Sequence, residues 1–473
     1  MLFNSIEFLF FFIVVTTLFF VLPHKARWIL LLAASCFFYM FFRPVYIFIL
    51  FFTIVIDYFA GIYLEKTEDP VSRRWLLILS LLANIGVLVV FKYFNFINDN
   101  VTGLGQFFGF KNPIPHLDII LPIGLSFHTF QAMSYTIEVY KRRVGAEKHF
   151  GLYALYVMFY PQLVAGPIER PQHILPQFRI KQYFNFQNAA IGLNLIFWGL
   201  FKKIVIADRL AIYVNQVFGN IDQASSISAF LAVIFFSFQI YCDFSGYSDI
   251  ARGTAKVMGY DLMVNFRQPY LSRSFSEFWG RWHISLSTWF RDYLYIPLGG
   301  SREGQLKKLR NLFIVFMISG LWHGANWTFL IWGFVHALFL ITEDLTLNAR
   351  ISIIKKLRID RNNIIYKGVS MIFVFMMVSL AWVFFRADNI EQAFQFFRKL
   401  TAFDLHTNMA QLSAFRGPLN LILTFLVVIL LLCSRRIPEM LEKRGSIAIA
   451  VVSTFLIILF GPNESGQFIY FQF

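Results

Sequence analysis

The sequence predicts an all-α, polytopic integral membrane protein with about 11 to 13 transmembrane helices. Three observations carry that prediction. Hydrophobic residues make up 58% of the 473 positions and charged residues 15%, where a soluble domain carries about a quarter. Apolar runs of about 15 to 20 residues recur along the whole length, enough for a helix to cross a hydrocarbon core. Lysine and arginine gather in the short loops between those runs, as they do on the cytoplasmic side of a membrane. That clustering accounts for the net charge of +15, so membrane lipid and not nucleic acid is the expected surround. Cys36, Cys242 and Cys433 are far apart, each in or beside an apolar run, and give neither a disulfide framework nor a metal spacing.

Taken in order, 6–22 is the first span, closed by Pro23 with Lys25 and Arg27 behind it. Met1 to Phe11 lacks a basic start and a small-residue cleavage site, so this run is expected to be retained. Spans follow at 28–42, at 46–64 with Asp57 inside it, and at 75–91. The basic first and third loops place those two loops inside and the amino terminus outside. A Gly- and Pro-rich loop, 95–118, leads to a span at 119–140 that carries His128, Gln131, Ser134 and Glu138. Such spacing directs them to a bundle interior or a watery cavity. The piece 153–164 is too short to span and ends in "FYPQLVAGPIERP", so it reads as a re-entrant or broken element. Further spans are predicted at 189–206, 228–241, 312–322, 327–341, 369–385, 419–433 and 447–460. "RADNIEQAFQFF" is amphipathic, and the tail "GPNESGQFIYFQF" looks exposed.

Chemistry concentrates in 275–323, where His283 and His323 each follow a tryptophan, Trp282 and Trp322. An ionisable group at membrane depth costs roughly 2.5 to 3.5 kcal/mol on insertion scales unless it faces a cavity or a partner. Neutral imidazole suits removal of a proton from a hydroxyl. Gly320 and Gly324 flank His323 and are expected to leave room for a small group; a core histidine bonded to a carbonyl is the plainer alternative. His336 is a weaker candidate. Arg281, beside His283, suits the phosphates of a donor, whereas Trp289 and Arg291 read as an interfacial belt. Asp243 and Asp249 lack a third ligand at a suggestive spacing, so no metal is expected and hydrogen bonding inside the bundle is the better reading. No nucleotide loop, nucleophile elbow or H-E-x-x-H motif is present.

The stretches "FWGRWHISLSTWFRDYLYIPLGGSR", "GLWHGANW", "CDFSGYSDIARG", "NFRQPYLSRSFSEFW" and "WVFFRADN" resemble those of bacterial membrane-bound O-acyltransferases. The resemblance covers nearly the whole chain. It is to the branch of alginate and peptidoglycan O-acetyltransferases and, more distantly, to the D-alanyl transfer protein of teichoic acid modification. It implies one membrane domain over 1–473, with a catalytic core near 119–345, a tail near 461–473, and helices ringed around a central tunnel. The family's catalytic histidine corresponds to His323 and its second polar position to His283. Trp282, Trp322, Asn326, Asp243 and Arg281 are then candidates for the tunnel or donor site, and Tyr470 for a residue that carries the acyl group. An aromatic anchor at the interface is the other reading of Tyr470. The resemblance further implies a multi-pass protein of the inner (cytoplasmic) membrane with no bound cofactor, using acetyl-CoA or another acetyl thioester. An extracytoplasmic polysaccharide would be the acceptor, with a periplasmic or extracellular acetyltransferase as partner. Transfer of D-alanyl or another acyl group to cell-wall polymers, a transporter whose partner does the chemistry, and a scaffold remain open.

Overall fold

A computed structural model describes residues 1–404, 447–461, 466 and 468–469. The expected span at 419–433 and Tyr470 lie outside the described residues. Among the described residues every regular element is helical. Six helical stretches are long and apolar enough to cross a membrane: Pro44–Lys66, Pro70–Phe107, Phe186–Gly219, Ser226–Val257, Trp327–Leu345 and Ile364–Arg386. The chain forms two compact units, 1–196 with 248–263, and 197–247 with 264–473.

In the first unit, α1 (Ile6–Val21) starts at Ser5, whose hydroxyl accepts the Phe8 N–H, and stops just short of Pro23. α2 (His24–Met40) and α3 (Ile47–Lys66) follow. α4 (Pro70–Leu88) has Asp69 as its cap, accepting the Ser72 N–H at 2.8 Å, and proline at its first position. A π-helical turn, Val89–Tyr93, joins α4 to α5 (Phe94–Phe107). The predicted span at 119–140 is helical only from Leu125 to Tyr140, here α6. Pro122 precedes it, and Gly124 holds φ +76° at its start. A Cβ on Gly124 would stand 2.9 Å from the Leu163 carbonyl oxygen, so this turn also needs glycine for space. His128, Gln131, Ser134 and Glu138 are all buried, as their spacing predicts. Asp57 on α3 accepts from Ser80 and from Asn84 on α4, and from Thr136 on α6 at 3.3 Å, tying three helices together.

α7 (Phe150–Met158) is the short broken element, and the chain turns through buried residues 159–166 before α8 (Pro171–Arg179). α9 (Phe186–Leu200) continues through a π-helical turn, Phe201–Ala207, into α10 (Asp208–Gly219). α11 (Ser226–Val257) is the longest regular helix described.

The second unit is built on short α12 (Phe275–Trp279) and α13 (Ile284–Phe290), then α14 (Gln305–His323), α15 (Trp327–Leu345), α16 (Leu347–Lys356) and α17 (Ile364–Arg386). Amphipathic α18 (Ile390–Thr401) buries Ala393 and Phe396, and α19 (Ile447–Phe460) is the last helix described. α14 and α15 cross at Gly320 and Gly333, whose Cα atoms are so close that a Cβ on either would stand 3.4 Å from the other. The same Cβ atoms would lie 2.3 Å from the carbonyl oxygens of Phe329 and Phe316. Gly324 is filled in the same way, with the Phe329 ring where its Cβ would be. The room expected beside His323 is therefore taken up by helix packing, a correction to the sequence reading. Of the tail expected to be exposed, Gly466 is exposed, whereas Phe468 and Ile469 are 1% and 5% exposed and buried in this unit; 462–465, 467 and 470–473 lie outside the described residues.

Candidate active site

The site is built on a backbone irregularity. His283 precedes α13 with φ +44°, a left-handed conformation that costs a non-glycine residue about 1 to 3 kcal/mol. Its side chain does not cap the helix; Asn265 does so in its place. The Asn265 Oδ1 accepts the Ser285 N–H at 3.1 Å and the Ser285 hydroxyl at 2.9 Å, and its backbone oxygen accepts the Ile284 N–H at 2.9 Å. The Nδ1 of His283 is 3.2 Å from the same Oδ1. An oxygen that accepts from a backbone N–H cannot be the amide nitrogen and carries no hydrogen. Nδ1 must therefore bring the proton, which leaves Nε2 as the basic nitrogen of neutral His283. The imidazole is fully buried and meets the Phe244 ring edge-on, with centroids 4.6 Å apart.

His323 ends α14. Its ring is enclosed edge-on by Trp322, Trp332 and Phe385, at 4.9, 5.0 and 5.2 Å, and it is 4% exposed. The Trp322 ring is also 6.1 Å from His283, so this one indole touches both imidazoles. A cavity of about 420 Å³ runs between α12, α13, α14 and α15. Its lining includes Ile284, the neighbour of His283, and Ser319, one helical turn before His323, with Arg291, Ser287 and Thr288 as polar groups. Ser276 and Tyr295 add two more hydroxyl-bearing residues, and the rest of the wall is apolar, with Trp279, Leu286, Phe290, Val315 and Phe316. A mostly apolar cleft with a few placed polar groups is the usual form of a small-molecule site.

The remaining predicted residues separate. Trp282 is buried against Trp382 and Phe266, at 5.0 and 5.1 Å. Arg281 is on a different surface, paired with Glu277 at 2.6 Å, and lines a second cavity of about 380 Å³ with Arg273 and Lys367. Asn326 caps α15, its Oδ1 accepting the Thr328 N–H at 3.0 Å and its amide donating to the Asp388 carbonyl at 2.9 Å. Asp243 accepts from Lys203 at 2.7 Å through one oxygen and from the Ile469 N–H at 2.8 Å through the other. Its carboxylate thus faces protein groups, as the hydrogen-bonding reading had it. His336 is fully buried on α15 between the rings of Trp279 and Trp332, at 5.0 and 4.9 Å.

Asn265 and Lys203 escaped the sequence reading. Asn265 lies 18 residues before His283 and only folding joins them. Lys203 sits in the basic pair "KK" near the end of the predicted span 189–206, where the sequence gives no sign of its partners, and it is buried.

Residues 147–385, which contain both histidines, match the model of the membrane-bound O-acyltransferase family. The chain belongs to that family. This membrane-bound O-acyltransferase is 38% identical to a peptidoglycan O-acetyltransferase of Helicobacter pylori, over 75% of the chain and 70% of the relative. It is 37% identical to a probable alginate O-acetylase of Azotobacter vinelandii, over 79% of the chain and 73% of the relative. A teichoic acid D-alanyltransferase of Streptococcus thermophilus is similar at 31% identity, over 49% of the chain and 59% of that protein. The chain is accordingly a multi-pass membrane enzyme of the O-acyltransferase class.

Proposed function

We propose that this O-acyltransferase moves an acetyl group from a cytoplasmic thioester, acetyl-CoA or another acetyl thioester, to hydroxyls of an extracytoplasmic polysaccharide. The observation that carries the reading is the pair of buried imidazoles that share contact with the Trp322 ring; Ile284 and Ser319 near them, and not the imidazoles themselves, line a cavity of about 420 Å³. The relatives' names point to acetyl as the group and to a cell-surface polymer such as alginate or peptidoglycan as the acceptor.

In this mechanism His323 takes the proton of an attacking hydroxyl as its oxygen bonds to the acetyl carbon. The carbon–sulfur bond breaks, and the thiolate leaves and regains a proton. A positioned base of this kind contributes about 10² to 10⁴-fold. His283 was expected to orient the donor carbonyl or steady the oxyanion, which needs a hydrogen to donate. With its Nδ1–H committed to Asn265, His283 offers a lone pair instead, so it suits accepting from and orienting the hydroxyl. That hydroxyl belongs to the sugar or to Tyr470 as an intermediate carrier. Apolar walls keep water from the thioester. The setting is the inner membrane, with a separate extracytoplasmic acetyltransferase completing delivery.

The test is a His323→Ala strain with normal protein levels. Acetylation of the surface polysaccharide is expected to fall at least about 100-fold; unchanged acetylation would sink the proposed base. Ester-linked D-alanine in place of acetate on the native polymer would move the reading to the D-alanyl class.

A further inference from the structure

Inside the second unit, Lys203, Asp208 and Asp243 form an ion cluster whose side chains are 1%, 5% and 5% exposed. The Lys203 Nζ is 2.7 Å from Asp243 and 2.8 Å from Asp208, the place a metal cation would take between two carboxylates. Lys203 is carried by the π-helical turn Phe201–Ala207, a distortion frequent at functional positions. Two carboxylates share this one ammonium, and a buried carboxylate is costly unless further donors meet it. The carboxy-terminal chain supplies them. The Ile469 N–H donates to Asp243 Oδ2 at 2.8 Å. The Phe468 ring lies 4.5 Å from the Lys203 ammonium and meets Tyr247 edge-on at 4.9 Å. Gly466 passes so near Asp208 that a Cβ would stand 3.0 Å from its carboxylate oxygen. One buried cluster therefore grips the tail at three of its residues.

We propose that Asp243 and Lys203 are positioning residues that anchor the carboxy-terminal chain at Gly466, Phe468 and Ile469, and that acyl transfer depends on this anchorage. The functional half rests on the reading of Tyr470 as acyl carrier. Charge-assisted hydrogen bonds such as that from the Ile469 N–H to Asp243 are about twice as strong as neutral ones.

The experiment follows a thiol reporter, Ile469→Cys, in the full-length protein in membranes with Cys36, Cys242 and Cys433 changed to serine. Maleimide modification is expected to be slow, and about tenfold faster with Asp243→Ala, the factor that corresponds to about 1.4 kcal/mol of lost anchoring. Asp243→Asn keeps an oxygen for the Ile469 N–H and should fall between. Lys203→Gln tests the cluster from its other side, and a melting measurement in detergent identifies any variant that fails to fold. Identical modification rates in the folded variants overturn the anchor. Polysaccharide acetylation is read in the same strains beside Tyr470→Phe. Loss in both Asp243→Ala and Tyr470→Phe supports the full proposal. Faster modification with acetylation intact in Tyr470→Phe upholds the anchor and removes the carrier.

Discussion

Asn265→Ala is the perturbation that most directly tests how the site is held. The Asn265 Oδ1 serves the Ser285 N–H, the Ser285 hydroxyl and the His283 Nδ1–H, at 3.1, 2.9 and 3.2 Å, in a buried setting. Alanine orphans all three donors. An orphaned buried donor costs about 1 to 3 kcal/mol. The hydroxyl can turn toward His283 Nδ1, 3.5 Å away, so two losses remain, the Ser285 N–H and the displaced imidazole N–H, and the expected destabilisation is about 2 to 6 kcal/mol. That same turn would make Nδ1 an acceptor and move the proton to Nε2, inverting the nitrogen offered to substrate. The left-handed His283 would also lose what over-determines its backbone. Misplacement of this order costs about 10²-fold in rate. The assay pairs acetate released from surface polysaccharide with the melting temperature of the purified protein in detergent. Ser285→Ala is the control: it removes one donor and leaves the other two satisfied, so stability should change by about 1 kcal/mol or less. If Asn265→Ala matches Ser285→Ala in both readouts, Asn265 does not hold His283 and the tautomer argument fails.

Two further outcomes follow from packing and charge. Gly320→Ala would drive a Cβ to 2.3 Å from a backbone oxygen that cannot swing away, so a loss of about 1 to 3 kcal/mol or more is expected. Gly368→Ala on α17, with nothing within 4 Å, should be neutral or slightly stabilising; equal melting temperatures would discount the close crossing. In the loop-borne α8, His173 is 2.6 Å from the buried Glu169 carboxylate, which holds the imidazole above its ordinary value of about 6.5. A raised value means the pair stabilises fully below about pH 6.5 and is lost as pH rises through the higher folded-state value. The ring is 46% exposed, so screening keeps the effect under about 1 kcal/mol, and His173→Gln should flatten melting temperature between those pH values.

How much was legible in the sequence turns on what a polar residue inside an apolar run means. Length and hydropathy were enough for the helices, because the bilayer imposes one solution on a long apolar run. The boundaries moved where glycine and proline intervened, as at Gly124, six residues into the predicted fifth span. The fate of the polar residues was only half legible. Burial of Asp57, Glu138 and Asp243 followed from their cost in lipid, but their partners did not. Ser80, Thr136 and Lys203 are 23, 79 and 40 residues from the carboxylates they meet, and no local period encodes such pairings. The glycines around His323 show the opposite error. A missing side chain reads as empty space in one dimension, whereas in three it is filled by Phe329 and the crossing of α14 and α15. Counting partners is what separates structural from chemical polar groups. Asp57 has three side-chain donors on its carboxylate, and Asp243 has an ammonium and a backbone N–H. Groups engaged in this way have little left to offer a substrate. His283 is different: Asn265 fixes one nitrogen and thereby decides the chemistry of the other. A side chain held on one edge so that its other edge has a defined proton state is how a protein prepares a group for reaction, and that asymmetry is why the site is placed here.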